Sequence, residues 1–499
     1  MNRTDILDRV KKRSEPWDVV VIGGGATGVG CAVDAASRGL DVLLLEQHDF
    51  GKGTSSRSTK LVHGGVRYLA QGNVSLVREA LRERGILLKN APHVVQKLAF
   101  VVPCYSLGQK IFYVTGLRIY DLLAGKYGFG RSRIISKTET LARLPNIKPE
   151  GLLGGVRYYD GQFDDARLLI DLVMTAHALG AAVLNYAKVV SLVKGPTDRI
   201  AGANFAIGET GETFIVAARA VINATGVFCD DVRSMSDTSA KPVVTFSQGI
   251  HLVLDRKFLR GDDAVLIPKT TDGRVLFCIP WHGHTLVGTT DTPIGHAALE
   301  PEVFDRDIDF VLETAGQYLA KKPSRLDILS VFAGIRPLVK PVRDAKTSAI
   351  SRGHHLFVER SGLITITGGK WTIYRRMAED AVDHAVRLAG RRAMPSLTAD
   401  LKIHDGSTQP SSTKGERLHP DLPYSENDVI AAVQNEMAQT VEDVLARRTR
   451  ALFLNALAAI KLAPKIAKIM AGMMGKDSEW EAAQIEQFNV VANNYLPHD

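Results

Sequence analysis

The order of apolar and polar positions near the start of the chain indicates alternating strands and helices. An apolar run at Val19–Ile22 is followed by a glycine turn, a helical stretch over Ala26–Arg38 and a second apolar run at Val42–Leu45. Such uninterrupted runs are typical of strands that are buried on both faces in a parallel sheet. A further helix is predicted over Val74–Asn90, where apolar residues share roughly one face. The pattern therefore predicts the first part of an α/β domain.

The pattern changes between residues 244 and 290. Short apolar strands alternate with turn residues there, which predicts an antiparallel sheet in a second domain. A parallel-sheet strand returns at Gly362–Thr367 and leads into a helix over Tyr374–Leu388. We therefore expect the first domain to be assembled from separated segments, with the antiparallel domain inserted between them.

The last hundred residues have a third pattern. A polar stretch at 405–420, rich in Ser, Thr, Gly and Pro, predicts a linker. Beyond it the pattern is helical to the end, with no strand signal. Nowhere do 18 consecutive apolar residues occur, so we expect no membrane-spanning helix. The charged residues 1–16 do not resemble a secretory signal.

Composition narrows the class of protein. A chain of 499 residues is too long for one hydrophobic core and predicts two or three domains. The four cysteines are scattered, which argues against a disulfide framework and indicates a reducing compartment. The net charge of +8 favours an anionic partner such as a phosphorylated substrate or acidic lipid, or reflects only a basic surface. Nucleic-acid binding is disfavoured, because the chain has no recognised module or arginine-rich tract.

A glycine motif follows the first predicted strand and opens the first predicted helix. Gly23, Gly25 and Gly28 have the spacing of the dinucleotide-binding fingerprint, whose glycines permit a tight turn, close approach of a pyrophosphate and close helix–strand packing. Glu46 ends the next strand, about twenty residues on, where a carboxylate can hold ribose hydroxyls. The motif predicts a dinucleotide site, and by itself it leaves FAD and NAD open.

Two further turns suit a flavin. The segment VINATG, which contains Ala224 and Gly226, is a strand that ends in small residues and allows a cofactor to approach the backbone. Gly368, Gly369 and Lys370 repeat that arrangement before a helix, whose N-terminus suits the negative charge of a reduced flavin. The alternative is that both are ordinary strand–helix turns.

Six motifs, in order, resemble the FAD-dependent glycerol-3-phosphate dehydrogenases, which belong to the D-amino-acid-oxidase-like flavoproteins. The most specific is GTSSRSTKLVHGGVRYL at 53–69, and the others are GQFDDARL, VINATG, GTTD, AGIRPL and GGKWTIYR. The resemblance covers residues 18–388. The chain departs from the family at Val227-Phe228, where the family usually has Pro-Trp. The resemblance implies non-covalently bound FAD, oxidation of glycerol 3-phosphate to dihydroxyacetone phosphate, and a quinone as electron acceptor.

The resulting fold class is α/β, with a Rossmann-like FAD-binding domain, an inserted α+β substrate domain with an antiparallel sheet, and a C-terminal helical domain. The expected boundaries are 17–90, 155–230 and 330–375 for the FAD-binding domain, 91–154, 231–329 and 376–400 for the substrate domain, 401–420 for the linker, and 421–499 for the helical domain.

The resemblance also implies roles for particular residues. Arg67 and Arg336 are the best candidates for the substrate phosphate, because a guanidinium matches phosphate oxygens in two-point contacts. Tyr68 and Lys370 are further candidates, and Lys370 has the alternative of stabilising the reduced flavin. His63 is the candidate proton acceptor or a flavin contact, with His251 as a second choice. The residues of the expected flavin loop are Ser55, Ser58 and Lys60.

The remaining expectations concern partners and alternatives. His282 and His284 lack a matching acid or cysteine cluster, so no metal site is expected. Residues 110–133 and 450–476 combine basic and apolar side chains, which favours peripheral attachment to an anionic membrane or, alternatively, packing inside the protein. We expect a cytoplasmic enzyme on the inner face of the cell membrane, either monomeric or homodimeric. An FAD-dependent amino-acid or amine oxidase and a non-catalytic flavoprotein are the alternatives.

Overall fold

The computed structural model describes residues 1–70, 72–268, 270, 273–340, 353–392, 394–406 and 417–497, without the side chains of residues 67 and 70. The α-helices in this part of the chain are α1 (Arg3–Lys12), α2 (Ala26–Ser37), α3 (Val66–Ala70), α4 (Val74–Asn90), α5 (Leu107–Ala124), α6 (Lys137–Arg143), α7 (Asp165–Ala178), α8 (Cys229–Ser236), α9 (Asp305–Tyr318), α10 (Tyr374–Ala389), α11 (Glu426–Asn435), α12 (Ala451–Leu454), α13 (Ala456–Met474) and α14 (Ser478–Asn493).

The strands form three sheets. They are β1 (Trp17–Ile22), β2 (Val42–Leu45), β3 (Leu61–Val62), β4 (Val95–Cys104), β5 (Arg133–Ser136), β6 (Gly154–Phe163), β7 (Ala182–Leu184), β8 (Ala187–Lys194), β9 (Ile200–Ile207), β10 (Thr213–Asn223), β11 (Val244–Asp255), β12 (Ala264–Ile267), β13 (Leu276–Trp281), β14 (His284–Gly288), β15 (Thr292–Ile294), β16 (Ile328–Val339), β17 (His354–Val358), β18 (Ile364–Gly368), β19 (Arg417–His419) and β20 (Leu422–Ser425).

The first sheet has a parallel centre in the order β18-β10-β1-β2-β7. Strand β17 pairs antiparallel with β18 at one edge, and β8 and β9 continue antiparallel from β10. All residues of β1 are buried, and Val20 lies between Leu43 and Val221. Helices α2, α7 and α10 pack their apolar residues against this sheet. This arrangement confirms the Rossmann-like domain.

The second sheet has ten strands and is antiparallel, apart from the parallel pair β12 and β4. Its main order is β15-β11-β14-β13-β12-β4-β6-β3, with β16 paired to β11 and β5 paired to β6. Helix α9 contacts β11, β13 and β14, and closes an apolar core beneath them. The predicted antiparallel domain is therefore present.

The sheets place four segments differently from the expected domain boundaries. Residues 61–62 were assigned to the FAD-binding domain, but β3 pairs with β6 of the second sheet. Residues 155–163 and 330–339 were assigned to the FAD-binding domain, but β6 and β16 pair with β4 and β11 of the second sheet. Residues 376–389 were assigned to the substrate domain, but α10 packs on α2 and the first sheet. The expected boundaries followed motifs that line a cleft between the two sheets. Such motifs mark the interface of two domains, whereas strand pairing decides to which domain each strand belongs.

The C-terminal part contains α11–α14, a π-helical turn at Asp443–Arg448 and the β19–β20 hairpin, which the sequence pattern did not predict. Half of the expected linker, residues 407–416, lies outside the described residues. Arg447 and Arg448 join this part to the first domain through Asp49, with N–O distances of 2.5 and 2.6 Å. Burial alone would raise the pKa of Asp49, but the two guanidinium groups hold it below its usual range. None of the described helices is long and apolar enough to cross a membrane.

Candidate active site

A cleft of about 710 Å³ lies between the first and second sheets. Four of its walls are the loops at the carboxyl ends of the adjacent strands β1, β2, β10 and β18, and β11 and β16 close it from the second sheet. Ligands of open α/β sheets bind in this position, because the strand ends leave a crevice there. The volume lies within the range of small-molecule and cofactor sites.

The glycine motif builds one end of this cleft from backbone. Gly23 has φ +108°, and a side chain on Gly28 would place its Cβ 1.9 Å from the Gly23 carbonyl oxygen. Gly25 caps α2, and the Ser55 hydroxyl accepts a hydrogen bond of 2.9 Å from the Ala26 N–H. Gly23 and Gly25 line the cleft, whereas Gly28 packs behind it. The N-terminus of α2 thus faces the cleft and suits a pyrophosphate.

Glu46 lies beside this helix N-terminus at the end of β2. Its carboxylate accepts hydrogen bonds from the backbone N–H groups of Gly24, at 2.6 Å, and His48, at 2.9 Å. Burial raises the pKa of Glu46, and these two donors oppose the rise. The carboxylate is fixed at the wall of the cleft, where a ribose with two hydroxyls would donate to it.

The loop at 53–60 forms the next part of the wall, and Ser55 and Ser58 line the cleft as expected. Lys60 does not. Its side chain is wholly buried, and its Nζ donates to the Ser56 carbonyl and the Asp165 carboxylate, both at 2.7 Å. Burial lowers the pKa of Lys60 to about 7, although Asp165 favours the charged form. The predicted flavin contact is therefore corrected: Lys60 supports this loop from behind.

Small residues line the middle of the cleft. Ala224 follows β10, and Gly226 and Gly369 have φ of +59° and +67°. Positive φ is the conformation that glycine adopts at little cost, so both turns bring bare backbone to the cleft. The indole N–H of Trp371 donates 2.8 Å to the Ser55 carbonyl and ties these turns to the loop at 53–60. A flat ring system would fit against such a surface.

Charged and polar side chains line the rest of the cleft. Arg336, on β16, donates to the Thr289 hydroxyl and the Thr290 carbonyl, both at 3.1 Å. The Lys370 ammonium lies 5.3 Å from the centre of the Tyr68 ring and 3.4 Å from the His63 carbonyl oxygen. All four predicted residues, Arg336, Lys370, Tyr68 and His63, line the cleft. The Arg67 side chain lies outside the described residues.

His251, the second candidate for the proton acceptor, also lines the cleft from β11. Its Nε2 lies 2.9 Å from the Thr59 hydroxyl, and its ring stacks on Phe332 with centroids 5.0 Å apart. Burial, with the positive charges of Lys60 and Arg336, holds the pKa of His251 well below 6.5. The imidazole is therefore neutral at physiological pH and available as a hydrogen-bonding partner.

The two histidines considered for a metal serve other contacts. His282 Nε2 lies 3.0 Å from the Asp164 carboxylate, and His284 Nδ1 lies 2.9 Å from the His282 carbonyl oxygen. Within the described residues no group of three His, Cys, Asp or Glu side chains is arranged to hold a metal ion.

Several residues that shape the cleft had no signal in the sequence. Thr59 and Trp371 lie inside recognised motifs, but only the structure shows their contacts with His251 and Ser55. Arg450, in the C-terminal part, donates 2.8 Å to the Ser56 carbonyl and reaches Asp165 at 3.3 Å. Such contacts join positions hundreds of residues apart, and no local spacing reveals them.

The residues of the cleft fit FAD. A pyrophosphate would lie at the start of α2, a ribose at Glu46, and a flavin ring against the glycine turns at 226 and 369. Residues 18–375 match the family model described as FAD dependent oxidoreductase, and residues 364–481 match the C-terminal domain of alpha-glycerophosphate oxidase. Fold, cleft and family model together define an FAD-dependent oxidoreductase.

The relatives narrow this class. The chain is 38% identical to the mitochondrial glycerol-3-phosphate dehydrogenase of Rattus norvegicus, over 98% of this chain and 74% of the relative. It is also 38% identical to a mitochondrial glycerol-3-phosphate dehydrogenase of Arabidopsis thaliana, over 97% of this chain and 86% of the relative. The chain belongs to the family of FAD-dependent glycerol-3-phosphate dehydrogenases, and it oxidises glycerol 3-phosphate with FAD as cofactor.

Solved structures agree with this assignment. The glycerol-3-phosphate dehydrogenase of Bacillus halodurans, complexed with FAD, has a TM-score of 0.79 and 27% identity, and the match covers 99% of this chain and 97% of that one. An L-alpha-glycerophosphate oxidase of Mycoplasma pneumoniae, with FAD bound, shares the fold with a TM-score of 0.59 at 18% identity, over 78% of this chain and 99% of that one.

One expectation was wrong. From the sequence we expected a cytoplasmic enzyme on the inner face of the cell membrane, but the relatives named above are mitochondrial enzymes. The scattered cysteines favoured a reducing compartment, and the net charge favoured an anionic partner. They do not distinguish one such compartment from another.

Proposed function

We propose that the enzyme converts sn-glycerol 3-phosphate to dihydroxyacetone phosphate at the Arg336–Lys370 end of the cleft, and that the electrons pass to a membrane quinone. The observation that carries this proposal is that two cationic side chains, Arg336 and Lys370, line the same cleft as the dinucleotide motif. When bound, FAD accepts the hydride that leaves C2 of the substrate. The protein must then hold the phosphate, orient C2 and accept the hydroxyl proton.

Arg336 is the proposed anchor of the substrate phosphate, together with Arg67. The contacts of Arg336 with Thr289 and Thr290 fix its guanidinium before substrate arrives. A fixed guanidinium binds two phosphate oxygens with little further loss of conformational freedom. Lys370 and Tyr68 lie together in the lining of the same cleft and would complete the site.

His63 is the proposed acceptor of the hydroxyl proton. Its backbone is held from one side, because its N–H donates to the Thr372 hydroxyl at 3.1 Å. His251 competes for this role: its imidazole is neutral, but its lowered pKa weakens it as a base. Comparison of His63→Asn and His251→Asn separates the two, because the acceptor's variant should slow flavin reduction by about 10²-fold or more.

Membrane attachment through α5 is the second part of the proposal. The outer face of this helix exposes Leu107, Ile111, Phe112, Ile119 and Leu122, by 46 to 80%. Exposed basic residues lie on the same helix and just after it: Arg118, Lys126, Arg131 and Arg133. Apolar side chains flanked by positive charge suit the interface of an anionic bilayer. A quinone dissolved in that bilayer is then the natural electron acceptor.

The second segment with this composition, residues 450–476, is less suited to a membrane. Arg450 is buried, and most of the apolar side chains of α13 lie in the core formed with α14 and the second sheet. Helix α5 is therefore the proposed contact. The oligomeric state of the enzyme is a control measurement: light scattering on the purified enzyme separates a monomer from a homodimer.

Anaerobic bleaching of the flavin near 450 nm tests the substrate. We expect sn-glycerol 3-phosphate to bleach the band rapidly, and glycerol and D- or L-amino acids to leave it unchanged. Bleaching by an amino acid alone would overturn the substrate assignment. Reoxidation of the bleached enzyme by a short-chain quinone, against air-saturated buffer, then tests the acceptor. Faster reoxidation by oxygen would overturn the quinone part of the proposal.

Flotation with vesicles that contain anionic lipid tests α5. Leu122→Ser and Phe112→Ser should lose most of the binding and retain activity with a soluble acceptor. Leu326→Ser is the matched control, because Leu326 is 97% exposed and lies away from this helix, just before β16. Equal binding by all three variants would exclude α5 as the contact.

A further inference from the structure

A buried polar network connects α5 to the substrate end of the cleft. The Tyr120 hydroxyl accepts a hydrogen bond of 2.8 Å from the Gly64 N–H and donates one of 2.8 Å to the Asp160 carboxylate. Arg84 donates to the same carboxylate at 2.6 Å. Tyr120, Asp160 and Arg84 are all less than 5% exposed, and an apolar cluster of α4 and α5 side chains surrounds Tyr120.

Gly64 lies in the segment that carries the proposed proton acceptor, His63, and a proposed substrate-binding residue, Tyr68. His63 precedes it and Tyr68 follows it on α3, and both side chains line the cleft. A Cβ on Gly64 would lie 2.5 Å from the Tyr120 hydroxyl oxygen, so the backbone approaches this hydroxyl closely. Tyr120 itself does not line the cleft, and it therefore acts on the site only through Gly64.

The other side of the same segment is held by the turn after β18. The His63 carbonyl accepts hydrogen bonds from the Thr372 hydroxyl at 3.3 Å and from Lys370 Nζ at 3.4 Å. The segment is thus clamped between α5 and the turn that carries Lys370. Of these contacts, the one between Tyr120 and Gly64 comes from a helix that contributes no side chain to the cleft.

We infer that Tyr120 is a positioning residue for substrate binding: its hydroxyl fixes the Gly64 backbone, and thereby holds His63 and Tyr68 in place for glycerol 3-phosphate. The inference rests on the proposed placement of the substrate at this end of the cleft. The hydroxyl remains protonated, because burial and the neighbouring Asp160 raise the pKa of Tyr120 well above 10. A protonated hydroxyl can donate to the carboxylate while it accepts from the amide.

The chemical consequence of losing this hydroxyl is specific. In Tyr120→Phe the Gly64 N–H keeps only the Asp160 oxygen, which lies 3.4 Å away. A buried amide left with so long a contact favours movement of the segment toward a better partner. FAD should stay bound, because the substitution leaves its proposed contacts at Gly23 and Glu46 in place. The main expected change is therefore in substrate affinity.

The experiment compares the holoenzymes of Tyr120→Phe and Tyr113→Phe, two identical changes on the same helix. Tyr113 contacts Phe112, with ring centroids 5.3 Å apart, and serves as the control. We expect Tyr120→Phe to raise KM for sn-glycerol 3-phosphate at least fivefold with unchanged FAD content, and to lower kcat by a smaller factor, because His63 is displaced but still present. Amide exchange over residues 61–70 should quicken in this variant alone.

The outcomes distinguish failure of the proposed function from failure of the positioning role of Tyr120. If sn-glycerol 3-phosphate fails to reduce the wild-type flavin, the proposed function fails. If it reduces the flavin and KM of Tyr120→Phe equals that of the wild type, the positioning role is overturned. A rise in KM shared by Tyr113→Phe, or accompanied by loss of FAD and a lower Tm, identifies a general structural effect and also overturns it.

Discussion

The two ends of the cleft are built in different ways. The nucleotide end is made almost entirely of backbone: the glycine turn after β1, the start of α2 and one carboxylate on the neighbouring strand. The substrate end is made of side chains from three separate segments, represented by His63 and Tyr68, by Arg336 and by Lys370. The first depends on about 25 consecutive residues of the chain, and the second on positions more than 300 residues apart.

This difference follows from what each end binds. A pyrophosphate is held by N–H groups, which every residue offers, so recognition there depends only on the path of the backbone. A small phosphate ester needs cationic and polar groups at defined places, and only tertiary structure brings these together. Substitutions at the nucleotide end should therefore affect the binding of FAD. Substitutions at the substrate end should affect KM for glycerol 3-phosphate.

The strongest test of this contrast is Gly28→Ala. A Cβ at this position would lie 1.9 Å from the Gly23 carbonyl oxygen, and neither backbone can yield without opening the turn. We expect purified protein with almost no flavin, measured as the ratio of absorbance at 450 to 280 nm. Gly472→Ala, on α13 where a Cβ meets open space, is the matched control and should retain full flavin content. Normal flavin content in Gly28→Ala would show that FAD binding does not depend on this glycine turn.

Arg336→Ala is the corresponding change at the substrate end. Loss of a charge-assisted two-point contact costs about 3 kcal/mol, which corresponds to a rise of about 10²-fold in KM for glycerol 3-phosphate. The flavin spectrum should be unchanged. Arg256→Ala, which removes a surface ion pair with Asp262, should leave KM as in the wild type. A normal KM in Arg336→Ala would place the phosphate elsewhere and would remove the contrast between the two ends.

The same contrast explains what the sequence could predict. The strand–helix–strand unit, the glycine turn and Glu46 lie close together along the chain, and the helix predicted over Val74–Asn90 has the same bounds as α4. Lys60 also lies in a motif that the sequence shows. The direction of its side chain, however, depends on Asp165 and on Arg450, nearly 400 residues away. Spacing identifies residue types near a cofactor. It does not show which side of a loop faces the cleft.

Glu46→Gln sharpens the comparison at the nucleotide end. The amide retains the shape of the carboxylate but loses its charge, so the hydrogen bonds from Gly24, His48 and the ribose all weaken. We expect the Kd for FAD, measured by flavin fluorescence, to rise about tenfold, which corresponds to about 1.4 kcal/mol. KM for glycerol 3-phosphate, measured with saturating FAD, should stay constant. A change in KM without a change in Kd would show that Glu46 acts on substrate binding and not on FAD binding.

The smallest expected effect concerns proton uptake at His48, beside Glu46. Burial and the charge of Lys52 lower the pKa of His48 to about 4, against 6.5 for an exposed histidine. The unfolded chain therefore binds this proton more readily than the folded one, so the contribution to stability is complete above pH 6.5 and is lost as pH falls toward 4. Because His48 is partly exposed, solvent screening reduces the effect.

In His48→Asn we expect the fall in Tm between pH 7 and pH 5 to shrink by about 1–2 °C. Gln47→Asn, a neighbouring change without a titrating group, should follow the wild type, and identical curves for all three proteins would show that His48 does not titrate with folding.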